Sequence, residues 1–191
     1  MARATRGAVQ PDYGFSFCTV QELIDRGMDD SKHGDDDESP PPSSELPISC
    51  SVGVCTEELK GEDAHLLQEF ELHGRELKLL AVFDGHGGGV GAQACARLML
   101  RFVMEEAVCR PPVEDAYLMD LLAAACEAAF LRCHDAIREL PNCPGSTATV
   151  LIVDTKLRQV LTANVGDSAV LVVDENKVWP TPRPRPSPES F

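Results

Sequence analysis

Apolar and polar positions fall into regular periods only from about residue 48 onward. The run from Ile48 to Cys55 predicts a strand. Residues 64–71 and 76–83 predict two strands joined by a His73-Gly74 turn, and the second closes on the apolar run Leu79-Leu80-Ala81-Val82-Phe83. A glycine cluster follows. Helical spacing of Ala94, Leu98 and Phe102 then predicts a helix over 90–108, stopped by Pro111-Pro112. A second helix is predicted over 114–140, with Leu118, Leu121, Leu122, Cys126, Ala129, Phe130, Cys133 and Ile137 on one side. Pro141 and Pro144 close it. Residues 146–153 and 159–163 read as strands around an Asp154-Thr155-Lys156 turn. Asn164-Val165-Gly166-Asp167 reads as a turn and 169–173 as a last strand. Strands, then two helices, then strands give an α+β order, not an alternating βαβ one.

The flanks lack this patterning. Residues 1–47 read as a low-complexity acidic and Pro-rich segment, mostly disordered, in which only the capping-box pattern at Thr19 to Glu22 predicts a short helix, ended by Gly27. Residues 29–38 hold six acids and one Lys. Such a stretch buries too little to offset its ordering entropy and reads as a solvated linker, with a metal sink or interaction tail as the alternative. Residues 48–176 read as the folded domain and 177–191 as a Pro-rich divergent tail, which cannot enter a sheet interior.

Composition narrows the partners. With 17 Lys plus Arg against 31 Asp plus Glu, the formal charge is −14. That balance argues against nucleic acid and against an anionic membrane surface. No apolar run approaches the roughly 20 residues of a membrane helix, because the longest, Leu121 to Leu131, is broken by Glu127. No apolar stretch follows the first Arg residues, so no secretory signal is expected. The eight Cys show no CxxC and no zinc-like Cys/His spacing. They read as reduced, and the chain as intracellular, in cytoplasm and/or nucleus.

Two acidic motifs carry candidate chemistry. Asp84-Gly85-His86-Gly87-Gly88-Gly89 joins a buried strand to a helix. A carboxylate beside glycine carbonyls suits a hard dication such as Mg²⁺ or Mn²⁺. His86, two residues on, is placed to donate a proton to a leaving group. A plain glycine-rich turn is the bland alternative. Gly87-x-Gly89-x-x-Ala92 also fits a loose dinucleotide fingerprint, a weak match because no parallel strand follows. Glu62-Asp63 alone reads as a solvated turn, yet the hairpin would bring it beside the strand that ends at Asp84.

Together these pieces resemble the type 2C metal-dependent serine/threonine protein phosphatases, the PPM family, over about residues 48–173. The resemblance rests on four motifs in order: Glu62-Asp63-Ala64-His65, Val82-Phe83-Asp84-Gly85-His86-Gly87-Gly88, Gly145-Ser146-Thr147-Ala148, and Ala163-Asn164-Val165-Gly166-Asp167-Ser168. It implies a partial β-sandwich of antiparallel sheets flanked by a pair of long antiparallel helices. It also implies a two-metal centre of Mg²⁺ or Mn²⁺ and a phosphoprotein substrate. Asp84 would bridge the metals, the Gly85 carbonyl would bind one, and Glu62 and Asp63 would hold metals or their waters. Asp167 matches a position that helps hold a further metal in some members, and His86 would protonate the departing Ser or Thr oxygen.

The sequence also departs from the pattern. Two later family aspartates, in Asp-Gly and Asp-Asn motifs, have no counterpart after Val173. Glu58 stands where the family places a phosphate-binding Arg, which leaves Lys60 as the candidate substitute. The expectation is therefore a truncated N-terminal half of the domain, a monomer, inactive as given. The alternative is a non-catalytic pseudophosphatase or binding module that sequesters a partner or substrate.

Overall fold

The computed structural model describes residues 16–19, 50–55, 60–111, 117–142, 144–173 and 178–180. The chain builds β1 (Ser16–Thr19), β2 (Ala64–Leu72), β3 (Arg75–Phe83), β4 (Gly85–His86), α1 (Val90–Val108), α2 (Leu118–Arg138), β5 (Gly145–Ser146), β6 (Ala148–Asp154), β7 (Gln159–Val165), β8 (Leu171–Val173) and β9 (Val178–Pro180). Five strands form an antiparallel sheet in the order β1-β7-β6-β3-β2, while β4-β5 and β8-β9 are separate two-stranded ribbons. The α+β class expected from the element order is the one observed.

Period-two patterning places the core. Along β3 the alternate residues Arg75, Leu77, Leu79, Ala81 and Phe83 are buried. Their partners in β6 and β7 include Val150, Ile152, Leu161 and Ala163, also buried. This face receives α1, which packs on β2 and β3, and α2, which packs on β7. The two helices pack against each other, and the small residues Ala92, Ala107, Ala125 and Ala129 along them are fully buried. They run antiparallel: Cys95 near the start of α1 meets Cys133 late in α2, while Arg110 just past α1 donates to the Ala124 carbonyl early in α2. On the outside Arg132 lies 4.0 Å from the Phe102 ring centre and reaches Glu105 and Glu106.

The opposite sheet face stays open. A cavity of about 380 Å³ lies there, lined by Val52, Val54, Leu67, Leu80, Val82 and Leu151 among others. Leu67 is 45% and Val82 54% exposed. One sheet layered with a helix pair on one face is thus the described part of the sandwich.

Several local expectations need correction. Residues 50–55 form no strand, because they find no partner and lie exposed or half-exposed beside the open face. Residues 48–49 lie outside the described residues. Ser16–Thr19, within the segment read as mostly disordered, is an edge strand on β7 with Ser16 opposite Asn164. Thr19, expected to cap a helix, ends that strand, and 20–49 lie outside the described residues. Asn164 and Val165 finish β7 instead of turning, so the turn falls at Gly166-Asp167. The last strand is shortened to Leu171–Val173 and pairs with Val178–Pro180. Pro180 is tolerated because it ends a two-stranded ribbon outside the main sheet. Residues 181–191 lie outside the described residues.

Two features fix the hairpin and the far end of the sheet. The β2–β3 turn has φ of 51° at His73 and 74° at Gly74, the left-handed pair that matches strand twist in a two-residue loop. At the same end Arg75 Nη2 donates to both Asp154 oxygens, at 2.7 and 2.6 Å, with the side chains 4% and 0% exposed. Asp154 Oδ1 also accepts the backbone N–H groups of Lys156 and Leu157, each at 2.9 Å, and so closes the β6–β7 turn. Asp154→Ala should cost about 3–5 kcal/mol, since it strands a buried guanidinium. Replacing both partners by Leu should recover part of that loss. Urea denaturation checks both, and a loss under about 1 kcal/mol for Asp154→Ala would mean the pair acts like an exposed one.

Candidate functional site

The site gathers where β3 ends. The N–H of Asp84 donates to Thr147 Oγ1 at 3.1 Å, and the Asp84 carbonyl accepts the Thr147 N–H at 2.9 Å. This two-point clamp explains why the strand expected over 146–153 is split at Thr147. Gly145–Ser146 peels off to pair with Gly85–His86, and Ala148–Asp154 stays in the main sheet. Thr147 Oγ1 also shares a hydrogen bond of 2.8 Å with Ser168 Oγ. The Asp84 loop, the 145–148 segment and the 166–168 segment after β7 are thereby tied together.

Glycines make that closeness physically feasible. A Cβ on Gly85 would sit 2.2 Å from the Glu62 carbonyl oxygen, and one on Gly89 would sit 2.7 Å from the Gly61 carbonyl. The acidic pair therefore lies directly against the Asp84–Gly89 loop. One Glu62 carboxylate oxygen accepts the Gly88 N–H at 3.0 Å. Gly88 has φ 106°, which turns its N–H in a way L side chains resist. Gly166, with φ 99°, packs its Cα against Thr147, where a Cβ would meet the methyl at 2.7 Å.

The expected residues are thus partly assembled. Glu62 is half-buried and bonded to the loop, whereas Asp63, Asp84, Asp167 and Lys60 are exposed. Gly85 is buried. The Glu58 position lies outside the described residues. Among the described residues no three His, Cys, Asp or Glu side chains converge on a point that could hold a metal ion. Mg²⁺ makes do with one or two carboxylates plus waters. The donors present, carboxylates and a glycine carbonyl, are of the oxygen kind that suits a hard dication. His86 is exposed, with its ring over Gly145, where a Cβ would come 1.9 Å from Nε2. It lines a cavity of about 290 Å³ with His134, Arg138, Pro144 and Ser146, and neither Asp84 nor Glu62 reaches that cavity. Thr147 is the residue that sequence reasoning missed as a positioning group. Its signal was the Gly145–Ala148 motif, in which the hydroxyl follows a glycine that leaves room for His86.

The comparisons with known proteins bear on the family. The family model described as "Protein phosphatase 2C" matches residues 54–180. A "Protein kinase and PP2C-like domain-containing protein" of Arabidopsis thaliana is 29% identical over 140 residues, covering 69% of this chain and 20% of the relative. A solved structure of a sex determining protein from C. elegans superposes with a TM-score of 0.51 at 25% identity, over 66% of this chain and 32% of the other. A PPM Ser-Thr phosphatase from Mycobacterium smegmatis, solved in complex with cacodylate, gives 0.41 at 21% identity, over 65% and 47%. The chain spans about a fifth of the curated relative and about a third of the first of these structures.

The packing at Gly85 yields a paired expectation. Gly85→Ala should cost about 1–3 kcal/mol, because its methyl meets backbone that cannot swing aside. Gly53→Ala, with nothing within 4 Å, should stay within about 0.5 kcal/mol of the parent. Thermal unfolding of the two variants distinguishes them, and equal midpoints would remove the close approach from the account.

Proposed function

Because the chain belongs to the protein phosphatase 2C family, we propose that it forms part of a protein serine/threonine phosphatase that hydrolyses phosphoserine and phosphothreonine in proteins. The observation that carries the reading is the family match over 54–180, joined to the Glu62 bond that seats the acidic pair on the Asp84–Gly89 loop. In this proposal Asp84, the Gly85 carbonyl, Glu62 and Asp63 face Mg²⁺ or Mn²⁺, and Asp167 sits beside a further, weaker position. Such an ion, when bound, supplies positive charge next to the phosphoryl oxygens.

The remaining roles belong to the chain's own groups. The Thr147 clamp holds the Asp84 backbone where the strand ends. Gly88 N–H holds Glu62 and fixes the spacing of the two acidic motifs. His86, exposed two residues beyond Asp84, delivers a proton to the departing Ser or Thr oxygen. Lys60 is the nearest candidate cation for a phosphate oxygen in sequence order. We also propose that the 191 residues alone do not make a competent enzyme. The absence of three convergent donor side chains among the described residues supports this, as does the charge of −14, which repels a phosphate dianion.

Two measurements test the proposal. In Mn²⁺ titration calorimetry of the 191-residue chain, Asp84→Asn should weaken the ion, and equal affinity in both proteins would take Asp84 out of the site. Mn²⁺-dependent phosphate release from a phosphothreonine peptide should stay below about a tenth of that of a complete family member. Turnover above that level, abolished by Asp84→Asn, would overturn the claim of incompetence while keeping the family role. In a chain extended to a complete domain, His86→Gln should lower turnover on phosphoprotein by about 100-fold or more. It should matter little for p-nitrophenyl phosphate, whose leaving group needs no proton, and equal losses on both would count against the acid role.

A further inference from the structure

Two buried thiols meet between the helices. Cys95, five positions into α1, and Cys133, late in α2, are each 3% exposed. The two side chains hydrogen-bond each other. Both also border one cavity of about 70 Å³, whose lining includes His134, Ser146 and Val165. That volume admits a molecule the size of water or peroxide, and its wall carries polar groups. The helices α1 and α2 pack against each other, and both thiols face the same small space between them.

We propose that Cys95 and Cys133 form a modification site, at which a peroxide-class oxidant converts the thiol pair to a disulfide joining α1 to α2. The Cys95 sulfur attacks one peroxide oxygen, the O–O bond breaks, and a sulfenic acid and water result. The Cys133 sulfur then displaces the sulfenic hydroxyl as a second water. Two thiols lose two electrons and two protons in all, and the peroxide is reduced to two waters. The order of events follows the hydrogen bond. Cys133 donates, which holds the Cys95 thiol below its usual range as the more nucleophilic partner and pushes Cys133 up. Cys126 is the internal contrast: it is fully buried, with burial alone pushing it up to about 12, so it should stay reduced.

The bridge would fall close to the candidate site in chain terms. α1 emerges directly from the Asp84–Gly89 loop, and α2 leads into Gly145–Ser146, the partner of Gly85–His86. The cross-link would therefore fasten together the two segments that enter that ribbon.

The test uses the folded 191-residue chain and hydrogen peroxide, with peptide mapping under non-reducing conditions after the remaining thiols are alkylated in denaturant. The expected result is a species about 2 Da lighter, carrying a Cys95–Cys133 linked peptide and restored by dithiothreitol. The linked peptide should be absent in Cys95→Ala and in Cys133→Ala, and Cys126 should be alkylated throughout. Recovery of Cys95 and Cys133 as free thiols while exposed Cys55 and Cys109 oxidise would overturn the proposal. So would sulfinic or sulfonic acid at either position without a link. The wild-type map decides the matter even if an alanine variant fails to fold.

Discussion

Everything that defines the candidate site hangs on two hydrogen bonds between Asp84 and Thr147. They form where β3 and β6 stop being neighbours in the main sheet, and they replace the ladder bonds that the split would otherwise leave unmade. The clamp gives these backbone groups partners where Asp84 is exposed and Thr147 half-buried, and lets the chain leave the sheet at that point and form a separate ribbon. The ribbon carries His86, the bond from Thr147 to Ser168 fixes the 166–168 segment, and the glycines at 85, 89 and 166 let three backbones share the space. The clamp ties the Asp84 loop to the 145–148 segment, while the Glu62 bond to Gly88 seats the acidic pair on that loop.

The opposite end of the same sheet is governed by a different economy. The Arg75–Asp154 pair is fully buried, and such pairs fix geometry more reliably than they add stability. Asp154 sits opposite Leu77 in register, and its second role in the β6–β7 turn makes the strand end and the turn one unit. A slip of one residue in β6 would turn Ile152 and Val150 to the open face and would break this pair. The apolar pattern and the ion pair thus specify the same register.

Much of this was legible in the sequence because the information is local. α1 spans 90–108, as its periodicity predicts, and the hairpin turn is found at His73-Gly74. The α+β order and the four motifs also follow from residues close together in the chain. What was not legible depends on partners far away. The tetrapeptide Ser16–Thr19 becomes a strand because β7 offers an edge, whereas residues 50–55 pair with no strand among the described residues. β5 is two residues long and exists because Thr147 bonds to Asp84. In the site, sequence order suggested that Glu62, Asp63 and Asp84 would cluster. Backbone packing brings the Glu62 segment to the loop, but the carboxylates of Asp63 and Asp84 remain out in solvent.

The strand order β1-β7-β6-β3-β2 also constrains how the chain is made. β1 and β7 pair across about 150 residues, Ser16 opposite Asn164. On a ribosome adding about 5–20 residues each second, the first strand waits roughly 7–30 seconds before its partner exists. During that interval the β2–β3 hairpin and the two helices can already assemble, since their contacts are local, but β3 also lacks β6 along one edge. The nascent chain therefore carries an unpaired edge on an apolar strand until Ala148–Asp154 emerges, about 70 residues after β3. This is the stage at which a holdase chaperone, or a crowded neighbour on the same polysome, would find it.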